Sequence, residues 1–250
     1  MSVINETYPD YKSAAAACGR GYDDDGLAEV IAFKTAHYSA LDGTVFLPEQ
    51  ALNTIVAVGI STGDLSTPPL HVLDFGGGCG FHYFTAKRAF NVAMRWAVVE
   101  TPTMAKQANK IANGQFEAYE TLEKAVSSLR RIDLVHASGA IQYDPDSMAT
   151  LSALIALRAK LVMLARFPIW HGPPLVGVQT SPLTANGLGP MPPDVLDRLV
   201  RYPTAFPNID VTLGMFKQEL DLIVSLPSPS ASYTVGGQNA PGATFIFRAK

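Results

Sequence analysis

From Leu70 onward the sequence switches repeatedly between short β-branched or aliphatic runs and longer amphipathic stretches, and no other feature restricts the fold as much. Short apolar runs separated by helix-length segments give parallel strands joined by crossover helices, because a parallel pair cannot be closed by a tight turn. The strands expected are Leu70–Phe75, Trp96–Glu100, Gln115–Tyr119, Ile132–Ala137 and Lys160–Phe167. The helices between them are His82–Phe90, Pro102–Asn113, Leu122–Arg130 and Asp146–Leu157. Thr101 stands at an N-cap position with Pro102 as the first helical residue, where its missing N–H costs nothing, so the second strand ends at Glu100. Glu219–Leu226 and Ala243–Ala249 read as two last strands. The Pro227–Gly242 segment between them carries no helical pattern, so this pair is expected to be antiparallel.

Helix-spaced apolar residues over Leu27–Leu41 and Pro48–Ile60 predict a helical cap within residues 1–69. Residues 168–207 are dense in Pro and Gly with no clear period, which predicts a long functional loop. The expected organisation is one domain over 1–250: cap, core at 70–167, loop insertion at 168–207, and a last helix with the strand pair at 208–250. The 250 residues are 48% hydrophobic and 16% charged, sufficient for one sizeable core. With 19 Lys and Arg against 22 Asp and Glu and no basic run, a nucleic-acid partner is not expected. Cys18 and Cys79 are too few for a disulfide framework or a four-ligand zinc site, and His37 and His71 offer no ligand spacing, so no metal is expected. Met1–Tyr11 lacks the order of a signal peptide, and no apolar stretch reaches the roughly 20 residues of a membrane span. A soluble cytoplasmic protein follows as the expectation.

The chemistry is concentrated in Val72-Leu73-Asp74-Phe75-Gly76-Gly77-Gly78-Cys79-Gly80. An acidic residue is followed by glycine two, four and six positions on, at the end of a strand and the start of a helix. In that setting a glycine turn lets the backbone approach a ligand and aims helix N–H groups at it. A dinucleotide fingerprint would require its third glycine at Phe81 or Tyr83, and neither is glycine. Glu100 ends the second strand roughly 20 residues further on, where an acidic side chain accepts from both ribose hydroxyls of a nucleoside cofactor.

The Asp74-x-Gly76-x-Gly78-x-Gly80 arrangement resembles motif I of class I S-adenosylmethionine (SAM)-dependent methyltransferases. Ile132 to Tyr143 is similar to the segment of those enzymes that runs beside the cofactor, and the final strand pair matches their reversed last strand. More narrowly, Leu73-Asp74-Phe75-Gly76-Gly77-Gly78, Trp96 to Glu100 with Pro102, Ser138-Gly139 with Gln142-Tyr143, and Tyr202-Pro203 with Phe206 and Asn208 resemble a bacterial methyltransferase family associated with surface-polysaccharide genes. The match spans roughly residues 20–250. The resemblance implies an α/β, Rossmann-like, seven-stranded, mostly parallel sheet with an antiparallel last strand, helices on both faces and an N-terminal helical cap. It also implies S-adenosyl-L-methionine as cofactor, with Asp74 meeting its amino acid part. Gly76, Gly77, Gly78, Gly80, Glu100, Thr101, Ser138 and Gly139 complete the expected cofactor set, Gly77 by adjusting the turn.

On the acceptor side, Tyr143 follows strand four at the ligand edge and either lines the transfer site or packs under the cofactor. His171 is either a general base or a solvated loop residue. Gln142, Arg166, Tyr202, Phe206 and Asn208 are the expected acceptor-binding residues. Arg166 closes an apolar run and needs a partner: an anionic or hydroxyl-rich acceptor, the cofactor carboxylate, or a salt bridge to Asp144 or Asp146. His136 reads as a core histidine and His82 as an exposed first-turn residue. The acceptor expected is a small molecule or a carbohydrate, methylated on oxygen. A silent cofactor-binding protein and, disfavoured by the glycine spacing, a nicotinamide-dependent oxidoreductase remain as alternatives.

Overall fold

A computed structural model describes residues 2–43 and 47–250. The chain enters through two short strands, β1 (Ser2–Ile4) and β2 (Thr7–Tyr8), followed by α1 (Tyr11–Ala16), α2 (Asp25–Ser39) and α3 (Glu49–Gly63). The core then alternates as the sequence predicts: β3 (Leu70–Phe75), α4 (Phe81–Ala89), β4 (Met94–Val99), α5 (Pro102–Ala112), β5 (Glu117–Tyr119), α6 (Leu122–Ser128), β6 (Leu134–Ser138), α7 (Ser147–Ala156) and β7 (Leu161–Pro168). After it come β8 (Leu175–Pro182), β9 (Leu199–Phe206), α8 (Ile209–Glu219), β10 (Leu220–Pro227), β11 (Tyr233–Val235), β12 (Gln238–Ala240) and β13 (Gly242–Ala249).

Seven strands form the central sheet in the order β10-β13-β7-β6-β3-β4-β5, and β13 runs antiparallel to both of its neighbours. This is the expected sheet with its reversed last strand. The parallel strands β3, β6 and β7 are buried along nearly their whole length, as strands covered by helices on both faces must be. One face carries α2, α3, α4 and α5 through residues such as Ala28, Val58, Phe84 and Met104. The other carries α6, α7 and α8 through Ala125, Leu151 and Phe216. Side-chain caps fix where several helices begin: Thr101 Oγ1 accepts from Met104 N–H, and Asp146 Oδ1 accepts from Ala149 N–H at 3.1 Å. Strand order reverses between β4 and β6 on either side of β3, and open α/β sheets bind their ligands in the crevice at that point.

Two stretches differ from expectation. Residues 168–207 are not an unstructured loop: β8 and β9 pair antiparallel over Leu175–Pro182 and Leu199–Phe206 and take β2 onto the other edge. Gly177 and Pro203 had masked the alternation. A Cβ on Gly177 would lie 2.2 Å from Ile4 Cγ2, so glycine is what allows the chain start to pack there, and Pro203 sits on an edge strand, where proline is tolerated. Likewise Pro227–Gly242 contains the β11–β12 hairpin, which β1 joins in parallel. The cap is helical as expected apart from β1 and β2, and it is tied to the 168–207 segment. Buried Lys34 on α2 donates to Thr184 O at 2.7 Å and Asn186 O at 2.9 Å, and Arg198 pairs with Asp24, the cap of α2. No described helix is long and apolar enough to cross a membrane.

Candidate functional site

The chain leaves β3 through a turn in which Gly76, Gly78 and Gly80 all have left-handed backbones, with φ of 66°, 58° and 87°. Space as well as conformation requires glycine here. A Cβ would lie 2.2 Å from Ala140 Cβ at Gly76, and 2.3 Å from the Phe116 ring at Gly80, distances at which the backbone would have to move. The turn is tied to the next strand by Gly76 N–H donating to Val99 O at 2.9 Å. From the cap, Ile31 on α2 comes within 3.8 Å of the Cβ position of Gly78.

Asp74 lies beneath this turn and does not face a ligand directly. It is fully buried: Oδ1 accepts from His136 Nδ1 at 2.7 Å and Oδ2 from Trp96 Nε1 at 3.0 Å. Gly77 has no Cβ because one would fall 2.4 Å from Asp74 Oδ2, so the expected cofactor role of Asp74 becomes that of a brace for the turn. Burial would push its carboxyl up, but the charge and hydrogen bond of His136 and the Trp96 N–H outweigh this and hold it below the usual range. The network continues through Thr54 of α3, whose Oγ1 lies 3.0 Å from His136 Nε2 and 2.8 Å from His82 Nδ1. His136 is therefore a core histidine as expected. His82 is not exposed: it is buried, and burial together with the nearby His136 pushes its pKa down to about 3.

Glu100 has the opposite environment. It sits just past β4, half-buried, where Oε1 accepts from Gly78 N–H at 2.9 Å and Oε2 from Thr101 N–H at 3.0 Å. No cation pairs with it among the described residues. Burial raises its pKa to about 7 against the lowering by those two backbone bonds. Glu100 lines a cavity of about 340 Å³ that runs from the turn across the sheet edge. Gly76, Thr101 and Gly139 share that wall. So do Glu120, Thr121 and Leu122 after β5, and Tyr22 of the cap. The last four were not expected from the sequence. The strand-end rule could have flagged the β5 exit, whereas Tyr22 reaches the wall only through tertiary packing. Ser138 is buried behind the wall with an unpartnered Oγ.

The acceptor-side residues divide. Tyr143 lines the cavity, and its phenol donates to Gln179 Oε1 at 2.8 Å. Burial and the neighbouring tyrosines push its pKa well up. His171 stands apart from this cavity, on a second one of about 750 Å³ walled by prolines, with its exposed ring 3.0 Å from Asp210. Tyr202 and Phe206 are core residues: Tyr202 stacks on Tyr22 at 4.5 Å and bonds Ser181 and Asn186, and Phe206 packs between Trp170 and Tyr233. Asn208 is the N-cap of α8, and its amide is also spent on His171 O and Gly172 O. Gln142 is 1% exposed and donates to Arg166 O and Tyr233 Oη. Aromatic and amide residues pack a second layer as readily as they line a pocket, so composition alone did not separate the two.

No protein-family profile matches the chain, and no curated protein matches it. Solved structures do. The N-terminal domain of EvdMO1 with SAH bound aligns over 86% of this chain and 94% of its own at 12% identity and a TM-score of 0.51. Magnesium protoporphyrin IX methyltransferase from Synechocystis PCC 6803 with bound SAM aligns over 91% and 98% at 13% identity and 0.48. An S-adenosylmethionine-dependent methyltransferase from Clostridium acetobutylicum aligns over 81% and 92% at 10% identity and 0.49. At such identities the likeness is one of fold: the chain has a Rossmann-like architecture, shared with a domain that was crystallised with SAH.

Proposed function

We propose that this protein is a SAM-dependent methyltransferase that methylates an oxygen of a small-molecule or glycan-type acceptor. The observation that carries the proposal is the Glu100 carboxylate, anchored by the Gly78 and Thr101 N–H groups and presented to a cavity that starts at the glycine turn. The cavity volume suits a nucleoside-sized ligand. Anchored in this way, the carboxylate keeps lone pairs for two ribose hydroxyls. The base would lie toward Val99 and Glu120–Leu122, and the amino acid end over Gly76, Gly139 and Ala140. SAM brings an activated sulfonium methyl, so the chemistry needs an in-line acceptor and exclusion of water more than a dedicated catalytic side chain. Tyr22 and Tyr143 close the acceptor end of the cavity. Asp144 stands on the same wall, with Oδ1 held by Asp146 N–H, in position to take the proton of an acceptor hydroxyl.

Isothermal titration of the full chain with S-adenosylhomocysteine (SAH) and with NADH tests the cofactor. Micromolar SAH binding with no NADH binding is expected, on the order of the −8 kcal/mol that such a constant represents. Absence of SAH binding, or tighter NADH binding, would refute the proposal. Because the Tyr143 phenol is bonded to Gln179 and His171 lines a different cavity, a silent cofactor-binding protein is the second reading. SAH binding without labelled methyl transfer to any member of a hydroxyl-acceptor panel would favour it.

A further inference from the structure

Among the described non-glycine residues, left-handed backbone occurs at Asn113, Arg158 and Arg166. Asn113 caps α5 and Arg158 follows Leu157, the C-cap of α7, places where such a conformation is ordinary. Arg166, with φ of 56°, lies inside β7. The cause is a bulge. Leu164 pairs with Phe245 and Phe167 with Ala243, so Ala165 and Arg166 together oppose Thr244, whose Oγ1 accepts from Arg166 N–H at 3.4 Å. The extra residue breaks the alternation: Leu164 and Phe167 both pack into the core under α6–α8. Bulges of this kind re-aim a side chain and gather beside active sites.

The guanidinium is thereby laid against Gly139, on the cavity wall. A Cβ on Gly139 would lie 2.9 Å from Arg166 Nη1 and 3.1 Å from Cζ. Neither Asp144 nor Asp146 pairs with it. Asp144 accepts from Asp146 N–H, Asp146 caps α7, and no described acid forms an ion pair with Arg166. Its Nε is sealed without a partner, while the Nη nitrogens have no protein partner and are not sealed. Two further buried polar atoms around Gly139 lack partners, Ser138 Oγ and Gln142 Oε1. Buried polar groups are rarely left so, and Arg166 adds a cation that no described acid pairs with.

We propose that Arg166 receives a carboxylate carried by the methyl acceptor. This rests on the methyltransferase reading and narrows its substrate class. The acceptor is favoured over the amino acid carboxylate of the cofactor because Arg166 is on β7, beyond β6 from the glycine turn. Guanidinium groups bind carboxylates through charge-assisted hydrogen bonds that neutral isosteres cannot replace.

The test is calorimetric titration of the SAH-loaded full chain with two matched pairs, 4-hydroxybenzoate against 4-hydroxybenzamide and D-glucuronate against D-glucose. In at least one pair the carboxylate is expected to bind about tenfold more tightly. Arg166→Gln should erase that preference, Arg166→Lys should retain part of it, and SAH affinity of Arg166→Gln should stay within about twofold of wild type. No preference in either pair, or a preference that survives Arg166→Gln, overturns the proposal. A loss of SAH affinity of about tenfold in Arg166→Gln also overturns it, by assigning the residue to the cofactor. Wild-type protein that binds no SAH instead brings down the methyltransferase reading itself. Circular dichroism of both variants separates binding loss from unfolding.

Discussion

Two carboxylates end neighbouring parallel strands at the same edge of the sheet, and the fold treats them in opposite ways. Asp74, in register with Val98 of β4, is fully buried and spends both oxygens on His136 and Trp96. Glu100, one residue past β4, meets only backbone N–H groups and stands on a cavity wall. The acid held by side-chain donors belongs to the architecture of the turn. The acid without a charged partner is left available to a ligand, and its raised pKa marks the cost of holding it there.

The contrast is broken most severely by Asp74→Ala. It strands the His136 and Trp96 donors inside the core, so urea denaturation should show a loss of about 3–5 kcal/mol; a loss below about 1 kcal/mol would show that Asp74 is not the brace described. Glu100→Gln should act on the ligand instead. SAH affinity is expected to fall about 10- to 100-fold, the loss of a charged hydrogen-bond acceptor, with far less effect on folding than Asp74→Ala. Equal affinity in variant and wild type would remove Glu100 from the site.

The pH dependence sharpens the same comparison, because the two shifts have opposite signs. For Glu100 the folded state keeps a proton that the unfolded chain releases from its ordinary 4.5 upward. Its stabilising contribution is therefore full below pH 4.5 and lost as pH rises to about 7. Asp74, held below its ordinary 3.8, contributes above that value and loses the contribution as pH falls through its lowered folded value. SAH affinity should accordingly rise as pH increases through about 7, as Glu100 ionises to accept the ribose hydroxyls, and should be flat across that range in Glu100→Gln. A wild-type profile without that rise would separate Glu100 from ribose binding. The smallest effect is expected outside both acids: His171→Gln, in an exposed pair with Asp210, should change stability by less than about 0.5 kcal/mol and leave SAH affinity unaltered.

The core from Leu70 to Phe167 was legible because parallel strands under two helical layers must be continuous apolar runs, and because Thr101-Pro102 and Asp146 mark helix starts in local sequence. The glycine turn was legible for the same reason: left-handed residues at a strand exit leave few alternatives to glycine. The insertion was not. Gly177 and Pro203 interrupt the two-residue period, and each is explained by a neighbour distant in sequence or by the free edge of a sheet. Tyr202 and Phe206 were expected at a ligand and proved to be packing, since an aromatic ring fits a core as well as a pocket. The role of Arg166 depended on a bulge, which requires a partner strand with one residue fewer and leaves no mark in a single sequence.

What the sequence determined by itself was the βα alternation, the glycine turn and an acid at the end of the second strand, because these are set by backbone sterics and by hydrophobic periodicity within short windows. The tertiary structure alone decided which of the two acids faces outward, where the wall of the cavity runs, and that the chain start completes two small sheets with residues some 170 to 230 positions away. Those outcomes depend on which distant groups arrive to satisfy or leave unsatisfied each buried donor, acceptor and charge, and that pairing exists only once the chain has folded.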